Sequence, residues 1–285
     1  MSFVRYLSRS DSEKSIPPEN IFQSFERPDR PPRFTLWGVP MSRPRIFDIL
    51  VLILSFIVLV VLLAVRDYGR ETVELAITVY YPAALLVPYL YGTLIGRFRF
   101  WRKVACTAIS RGEYTILDVG CSMGALMLEM AQANDQATVV GVDDYVWWNN
   151  IPNSPRRLYL NALALGLSTD RLIAHRIPNL FTLPFEDGSF NLVTSFKGVA
   201  AGGRGKRRGR RLVLEECVRV LKVGGRLVLV EESFLMIREY ANILRKLGWV
   251  EVQCFTVWNC WSGIIPGRGL EAVKPLGKHP GPDRV

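Results

Sequence analysis

One stretch constrains the fold more than any other: Ile116-Leu117-Asp118-Val119-Gly120-Cys121-Ser122-Met123-Gly124. Apolar residues flank a single carboxylate, and two glycines follow at a short interval. The pattern reads as a buried strand that turns into a helix through a loop where backbone passes close to a ligand. In open α/β sheets such a loop, at the C-terminal end of a strand, is where nucleotide-like cofactors bind. By itself it does not say which cofactor; the residues downstream narrow that.

From about residue 98 onward, helical and strand patterns alternate. A lead-in helix is predicted over 98–110. The first strand covers about 115–119, with its helix at about 123–133, and the second is Ala137–Val142. A helix at about 155–165 precedes a strand near Leu172–His175, and a fourth strand lies near Phe190–Ser195. Helix 211–222 leads through Val223-Gly224-Gly225 into strand Arg226–Val230. Helix 236–247 ends at Gly248, and Val250–Trp258 and Gly269–Lys274 form two final strands. Alternation of this kind implies a mostly parallel sheet with helices on both faces.

Six pieces of the chain, in order, resemble the class I methyltransferases that use S-adenosylmethionine, in their type 11 branch. They are Ile116–Gly124; Val139–Asp143; Asn161–Leu167; Leu183–Val193, with its Leu183-Pro184-Phe185 start; Val220–Val230, with Gly224-Gly225; and Leu244–Val252. The resemblance covers about residues 98–275. It implies a Rossmann-like, doubly wound, seven-stranded sheet whose last strand is antiparallel, with S-adenosyl-L-methionine as cofactor. It assigns the cofactor site to Asp118, Gly120, Cys121, Ser122, Gly124, Asp143, Asp144, Asn179, Leu180 and Ser195. On this reading Gly120 and Gly124 let backbone approach the methionine moiety, and Asp118 faces its amino group directly or through water. Asp143 ends the second strand, where a carboxylate can accept both ribose hydroxyls; capping the next element is the alternative, and Asp144 can share the role. The sequence departs from the family at two points. Ser122 stands where glycine is commonest, and Asn179 stands where an aspartate often meets the adenine amine. The Gly120–Gly124 spacing also differs from the GxGxxG of dinucleotide-binding dehydrogenases. No general base is nominated: transfer from a sulfonium needs in-line placement of the nucleophile more than acid–base help. Glu231 and Glu232 follow the fifth strand, where they border the acceptor or cap a helix. Of the two histidines, His175 reads as structural and His279 lies outside any site.

The apolar content of 49% is not evenly spread. Ile49–Val65 runs 17 residues without a charge, flanked by Arg45 and Arg66. At ~1.5 Å per residue it spans about 25 Å, close to a hydrocarbon core. Leu75–Gly96 is also uncharged and carries Pro82, Pro88 and four tyrosines; it reads as a second span or as a kinked segment in the interface. The organisation expected is a disordered basic cytosolic arm at 1–45, a transmembrane hairpin at 46–96 with spans at about 47–66 and 75–96, the methyltransferase domain at 97–275 and a disordered tail at 276–285. Arg27, Arg30, Arg33, Arg43 and Arg45 precede the first run, and Arg97, Arg99, Arg102 and Lys103 follow the second. The positive-inside rule then puts both long ends in the cytosol, so the expectation is an integral membrane protein whose catalytic domain faces the cytosol. The expected acceptor is a small hydrophobic or membrane-associated molecule. A non-catalytic membrane adaptor that keeps the fold is the alternative.

The net charge of +10 points to anionic partners. It is most concentrated after the fourth strand, where six of the eight residues Arg204–Arg211 are basic. The segment Lys197–Arg211 reads as a loop that is either simply solvated or bound to anionic lipid headgroups of the bilayer. Nucleic acid is the least favoured partner, since the stretch lacks the aromatic residues of a stacking platform. The five cysteines contain no CxxC pair, and their odd number supports neither a disulfide framework nor a zinc site.

Overall fold

The computed structural model describes residues 91–108, 114–145, 154–204, 206–262 and 265–276. The expected arm at 1–45, the first apolar run and most of the second lie outside the described residues, as do the Trp147–Asn150 stretch and nearly all of the tail. Among the described residues no helix is long and apolar enough to cross a membrane.

The chain enters through a π-helical turn, Gly92–Gly96, that continues into α1, Arg97–Ala108. Trp101, Ala105 and Ala108 recur at helical spacing and are buried on one face. Then follow β1 (Tyr114–Val119), α2 (Ala125–Ala133), β2 (Ala137–Asp143), α3 (Pro155–Ala164), β3 (Leu172–Arg176) and β4 (Phe190–Phe196). The second half holds α4 (Gly198–Gly202), α5 (Arg207–Val220), β5 (Leu221–Glu231), α6 (Phe234–Lys246), β6 (Val252–Ser262) and β7 (Ile265–Val273).

The seven strands form one sheet in the order β3-β2-β1-β4-β5-β7-β6. Strands β1 to β5 pair in parallel, whereas β7 runs antiparallel between β5 and β6. The mixed sheet with its antiparallel last strand is the architecture that the sequence led us to expect. Period-2 side-chain alternation divides the core in two. Leu117, Val119 and Val193 pack on the face of α5 and α6, while Ile116, Val139 and Leu192 pack on the face of α1, α2 and α3. Strand polarity brings the C-terminal ends of β1, β2, β4 and β5 to one end of the sheet, and the candidate site is built there.

Three local expectations change. The lead-in helix begins inside the second apolar run: Tyr91 hydroxyl meets Asn259 Oδ1 at 3.4 Å, and Gly96 lies directly against the Asn259 carbonyl. Strand β5 starts at Leu221 rather than Arg226, across an irregularity in its pairing with β4 and through Gly224, which adopts a φ of +74°. The basic segment after β4 is not one loop. It folds into the short α4 and the first turns of α5. Positive charge at a helix N-terminus opposes the backbone dipole, so local sequence argues against a helix here. A tertiary partner reverses that: Glu239 on α6 binds Arg207 at 2.6 Å and Arg210 at 3.1 Å, and within α5 itself Arg211 binds Glu215 one turn on at 2.8 Å.

Candidate functional site

The turn after β1 is held by β2. Gly120 and Cys121 donate their backbone N–H groups to the Val142 carbonyl at 2.8 and 3.2 Å. Ser122, at a φ of +49°, donates its N–H to Asp143 Oδ2 at 3.0 Å. The other oxygen of Asp143 accepts from the Tyr145 N–H at 2.6 Å. Asp143 therefore ties the turn after β1 to the end of β2. Burial pushes this carboxyl up to about 6, against the pull of its two backbone donors. The Asp144 carboxyl interacts with this group as well and adds to its rise.

The same turn is latched to the end of β4. Ser195 is fully buried; its hydroxyl donates to the Val119 carbonyl at 2.8 Å and accepts the Gly198 N–H at 3.1 Å. Gly120 has a φ of +80°, and a Cβ there would sit 2.6 Å from Gly198 Cα. The space beside Gly120 is thus filled by the backbone of the β4–α4 junction. Beside Gly124, with a φ of +84°, it is filled by Leu158. The two glycines serve positive φ and protein–protein contact first. The sequence reading named Gly120 but missed Gly198, whose only signal was a glycine directly after a strand.

Asp118 sits at the heart of this junction and is 2% exposed. Thr194 Oγ1 lies 3.4 Å from its Oδ1. Among the described residues its Oδ2 is buried without a hydrogen-bond partner. Desolvation pushes the group up to about 8, and the charge of Asp143 adds to the rise. A buried carboxylate oxygen with no donor is costly unless a ligand supplies one. A cationic amine is the chemistry that fits it, so the residues present fit the amino-acid end of S-adenosylmethionine.

The remaining predicted residues sit around this centre. Cys121 is buried, with its Sγ 3.2 Å from the Tyr145 hydroxyl, and burial raises the thiol well above its ordinary range. It is therefore a protonated packing group. Asp144 follows β2 and is half-buried. Asn179 closes a local turn by accepting the Phe181 N–H at 3.0 Å, and Leu180 is buried against Gly202. His175 lies within β3 beside Phe185, and burial lowers it to about 4, which keeps it neutral. Glu231, at the end of β5, accepts the Ala200 N–H at 3.0 Å and so caps α4. Burial pushes it up to about 8. Its neighbour Glu232 pairs with Lys197 at 2.6 Å.

A family model described as "Methyltransferase domain", the type 11 methyltransferase family, matches residues 117–229. That span runs from β1 through β5 and contains every predicted cofactor residue. No curated protein matches the sequence. Several solved structures are similar. One, from Methanococcus maripaludis, is described as an S-adenosylmethionine-dependent methyltransferase; it shares 15% identity at a TM-score of 0.48, over 75% of this chain and 98% of that one. An S-adenosylmethionine-dependent methyltransferase from Aquifex aeolicus shares 17% identity at 0.45, over 61% and 88%. A geranyl diphosphate methyltransferase in complex with GPP and sinefungin shares 17% identity at 0.46, over 64% and 79%. The family match, the strand order and the junction around Asp118 agree with one another. Residues 117–229 match the methyltransferase domain model, and S-adenosylmethionine is the cofactor that this match supports.

Proposed function

We propose that the chain is a membrane-anchored methyltransferase that acts on a small hydrophobic or membrane-associated acceptor, with its catalytic domain in the cytosol. The observation that carries the enzymatic part is the buried, unpartnered Oδ2 of Asp118 at the junction of the β1 and β4 loops. The anchoring part is supported by sequence: two uncharged runs, Ile49–Val65 and Leu75–Gly96, and the arginines at their outer flanks.

When bound, the cofactor supplies a methyl group on a sulfonium centre. The chain's residues do the rest. Asp118 accepts from the amine, and Asp143, with Asp144 beside it, offers acceptors for the ribose hydroxyls. Ser122 and the backbone of Gly120, Cys121 and Gly124 line the turn. Asn179 and Leu180 serve the adenine side through the remaining lone pair of the Asn179 amide oxygen and the Leu180 side chain. Ser195 holds the β1 and β4 loops at the spacing this needs. In-line placement of the acceptor then replaces acid–base chemistry as the main demand on the site.

The test is to titrate the full-length protein, in vesicles, with S-adenosylmethionine by calorimetry. It is followed by transfer of isotopic methyl from the cofactor into a cell extract. Heat of binding and label in the chloroform-soluble fraction are expected. No binding at millimolar cofactor would end the enzymatic reading, and label confined to water-soluble products would end the hydrophobic acceptor. A second reading, an adaptor that keeps the fold, is favoured by the engagement of Asn179 and both oxygens of Asp143 with protein donors. Binding without transfer to any acceptor would select it.

A further inference from the structure

Three features that the cofactor site does not use lie at the same end of the sheet. The first is where the chain arrives. Tyr91 and Gly96 belong to the last part of the uncharged run that begins at Leu75, and both pack on Asn259, near the C-terminal end of β6. The second is a set of exposed large apolar side chains. Phe234 and Leu235 open α6 at 52% and 73% exposure, Trp258 stands near the end of β6 at 66%, and Ile265 begins β7 at 51%. The Arg268 guanidinium lies 5.9 Å from the centre of the Phe234 ring, which joins the starts of α6 and β7. The third is charge. Helix α5 begins at this end, so Lys206, Arg207 and Arg208 are exposed there.

Exposed apolar residues also occur at the opposite end, at Val223, Val250 and Leu276. Those three are aliphatic, and no long apolar run enters beside them. Aromatic side chains next to cationic ones, at the point where an apolar run reaches the domain, match the demands of a bilayer interface. Basic residues are drawn to an anionic leaflet, and tryptophan and phenylalanine partition into the headgroup region.

The geometry points to the end of the sheet formed by the starts of α5, α6 and β7 as a docking surface for the anionic face of a lipid bilayer. The C-terminal ends of β1, β2 and β4, where the candidate site is built, lie at that same end and face the lipid. The acceptor then reaches the Asp118 junction from the membrane interface rather than from bulk water. This rests on the membrane-anchored reading proposed above.

The test uses the full-length protein with Cys106→Ser and Cys254→Ser, which removes the exposed thiols among the described residues. A fluorophore is attached at Leu235→Cys or, as the control at the opposite end, at Val250→Cys, which replaces a side chain 88% exposed. The protein is reconstituted in phosphatidylcholine–phosphatidylserine vesicles. Flotation with the vesicles is the first readout. Failure to float overturns the membrane anchor itself. Given flotation, the label at 235 is expected to be quenched severalfold more by lipids brominated on their acyl chains, and severalfold less by aqueous iodide, than the label at 250. Equal access of iodide to both labels would overturn the docking surface while leaving the anchor intact. A label at 235 shielded from iodide yet unaffected by brominated lipid would also overturn it, because protein and not lipid would then cover the patch. Replacing phosphatidylserine by phosphatidylcholine is expected to weaken the lipid quenching at 235; no change would overturn the anionic component.

Discussion

The ends of β1 and β5 bury one carboxylate each, and burial pushes both up to about 8. Asp118 and Glu231 are 2% and 1% exposed. Their surroundings differ. Glu231 receives the Ala200 N–H and lies near the positive charge of Lys197 and Arg210. Asp118 keeps one oxygen without a donor among the described residues. The cost of burial is alike at the two places, but at β5 it is offset by tying down α4. At β1 it is left open, which is what a site for a cationic ligand requires. Perturbed carboxyls mark functional sites only when their partners have been inspected, and this pair separates the two outcomes.

The largest expected effect tests the backbone beneath the comparison. Gly120→Ala forces a Cβ into the positive-φ turn and against Gly198 Cα, 2.6 Å away. It should destabilise the domain by about 2–4 kcal/mol, read as a lowered midpoint of chemical unfolding. A shift near zero would mean that the β1 and β4 loops are not locked together.

Asp118→Asn comes next. Loss of a charge-assisted contact worth about 1.5–3 kcal/mol should weaken cofactor binding about 10- to 100-fold in calorimetry. Glu231→Gln keeps the cap on Ala200 and should leave that affinity nearly unchanged. If the two variants bind alike, the proposed division of labour between β1 and β5 is wrong.

The pH dependence sharpens the contrast. The folded value of Glu231, about 8, lies above its ordinary 4.5, so the folded state retains a proton that the unfolded chain releases. Its stabilising contribution is complete below about 4.5 and is lost as pH rises through about 8, at up to about 1.4 kcal/mol per pH unit. Asp118 acts with the same sign from 3.8 to about 8. Glu231→Gln should therefore flatten the fall in melting temperature over that window. Added cofactor should offset the Asp118 part and not the Glu231 part. An equal rescue of both by cofactor would contradict the assignment of the amine to Asp118.

Asn179→Ala gives the smallest change. It removes the turn-closing acceptor for the Phe181 N–H and any contact to the adenine side, together worth about 1 kcal/mol, so cofactor affinity should fall about fivefold or less. A loss as large as that of Asp118→Asn would move the centre of recognition to the adenine end.

Much of this site is readable before any folding is considered. The apolar-Asp-apolar-Gly run at Ile116–Gly124 must become a buried strand and a turn, because alternating apolar side chains need two covered faces and positive φ needs glycine. Asp143 at the end of the second strand is also legible, but not what it does: its oxygens hold Ser122 and Tyr145, contacts that exist only once β1 and β2 lie side by side. Ser195 was picked from the sequence as a candidate, yet its place as a latch depends on Gly198 and Val119 meeting across strands that are distant in sequence. The basic segment misled because its helix is stabilised by Glu239, which lies on another helix.

The sequence by itself determined the strand–turn–helix unit, the alternation of elements, the residues at the strand ends and the two uncharged runs upstream. All of these follow from local periodicity and from residue-specific backbone preferences. Only the tertiary structure decided which of two equally buried carboxylates stays open, which glycines meet protein, and that the entry of the chain, the aromatic patch and the basic helix start share one end of the sheet. Those outcomes depend on hydrogen-bond donors and charges brought from distant segments, and pairing between such segments is set by strand order and not by neighbours along the chain.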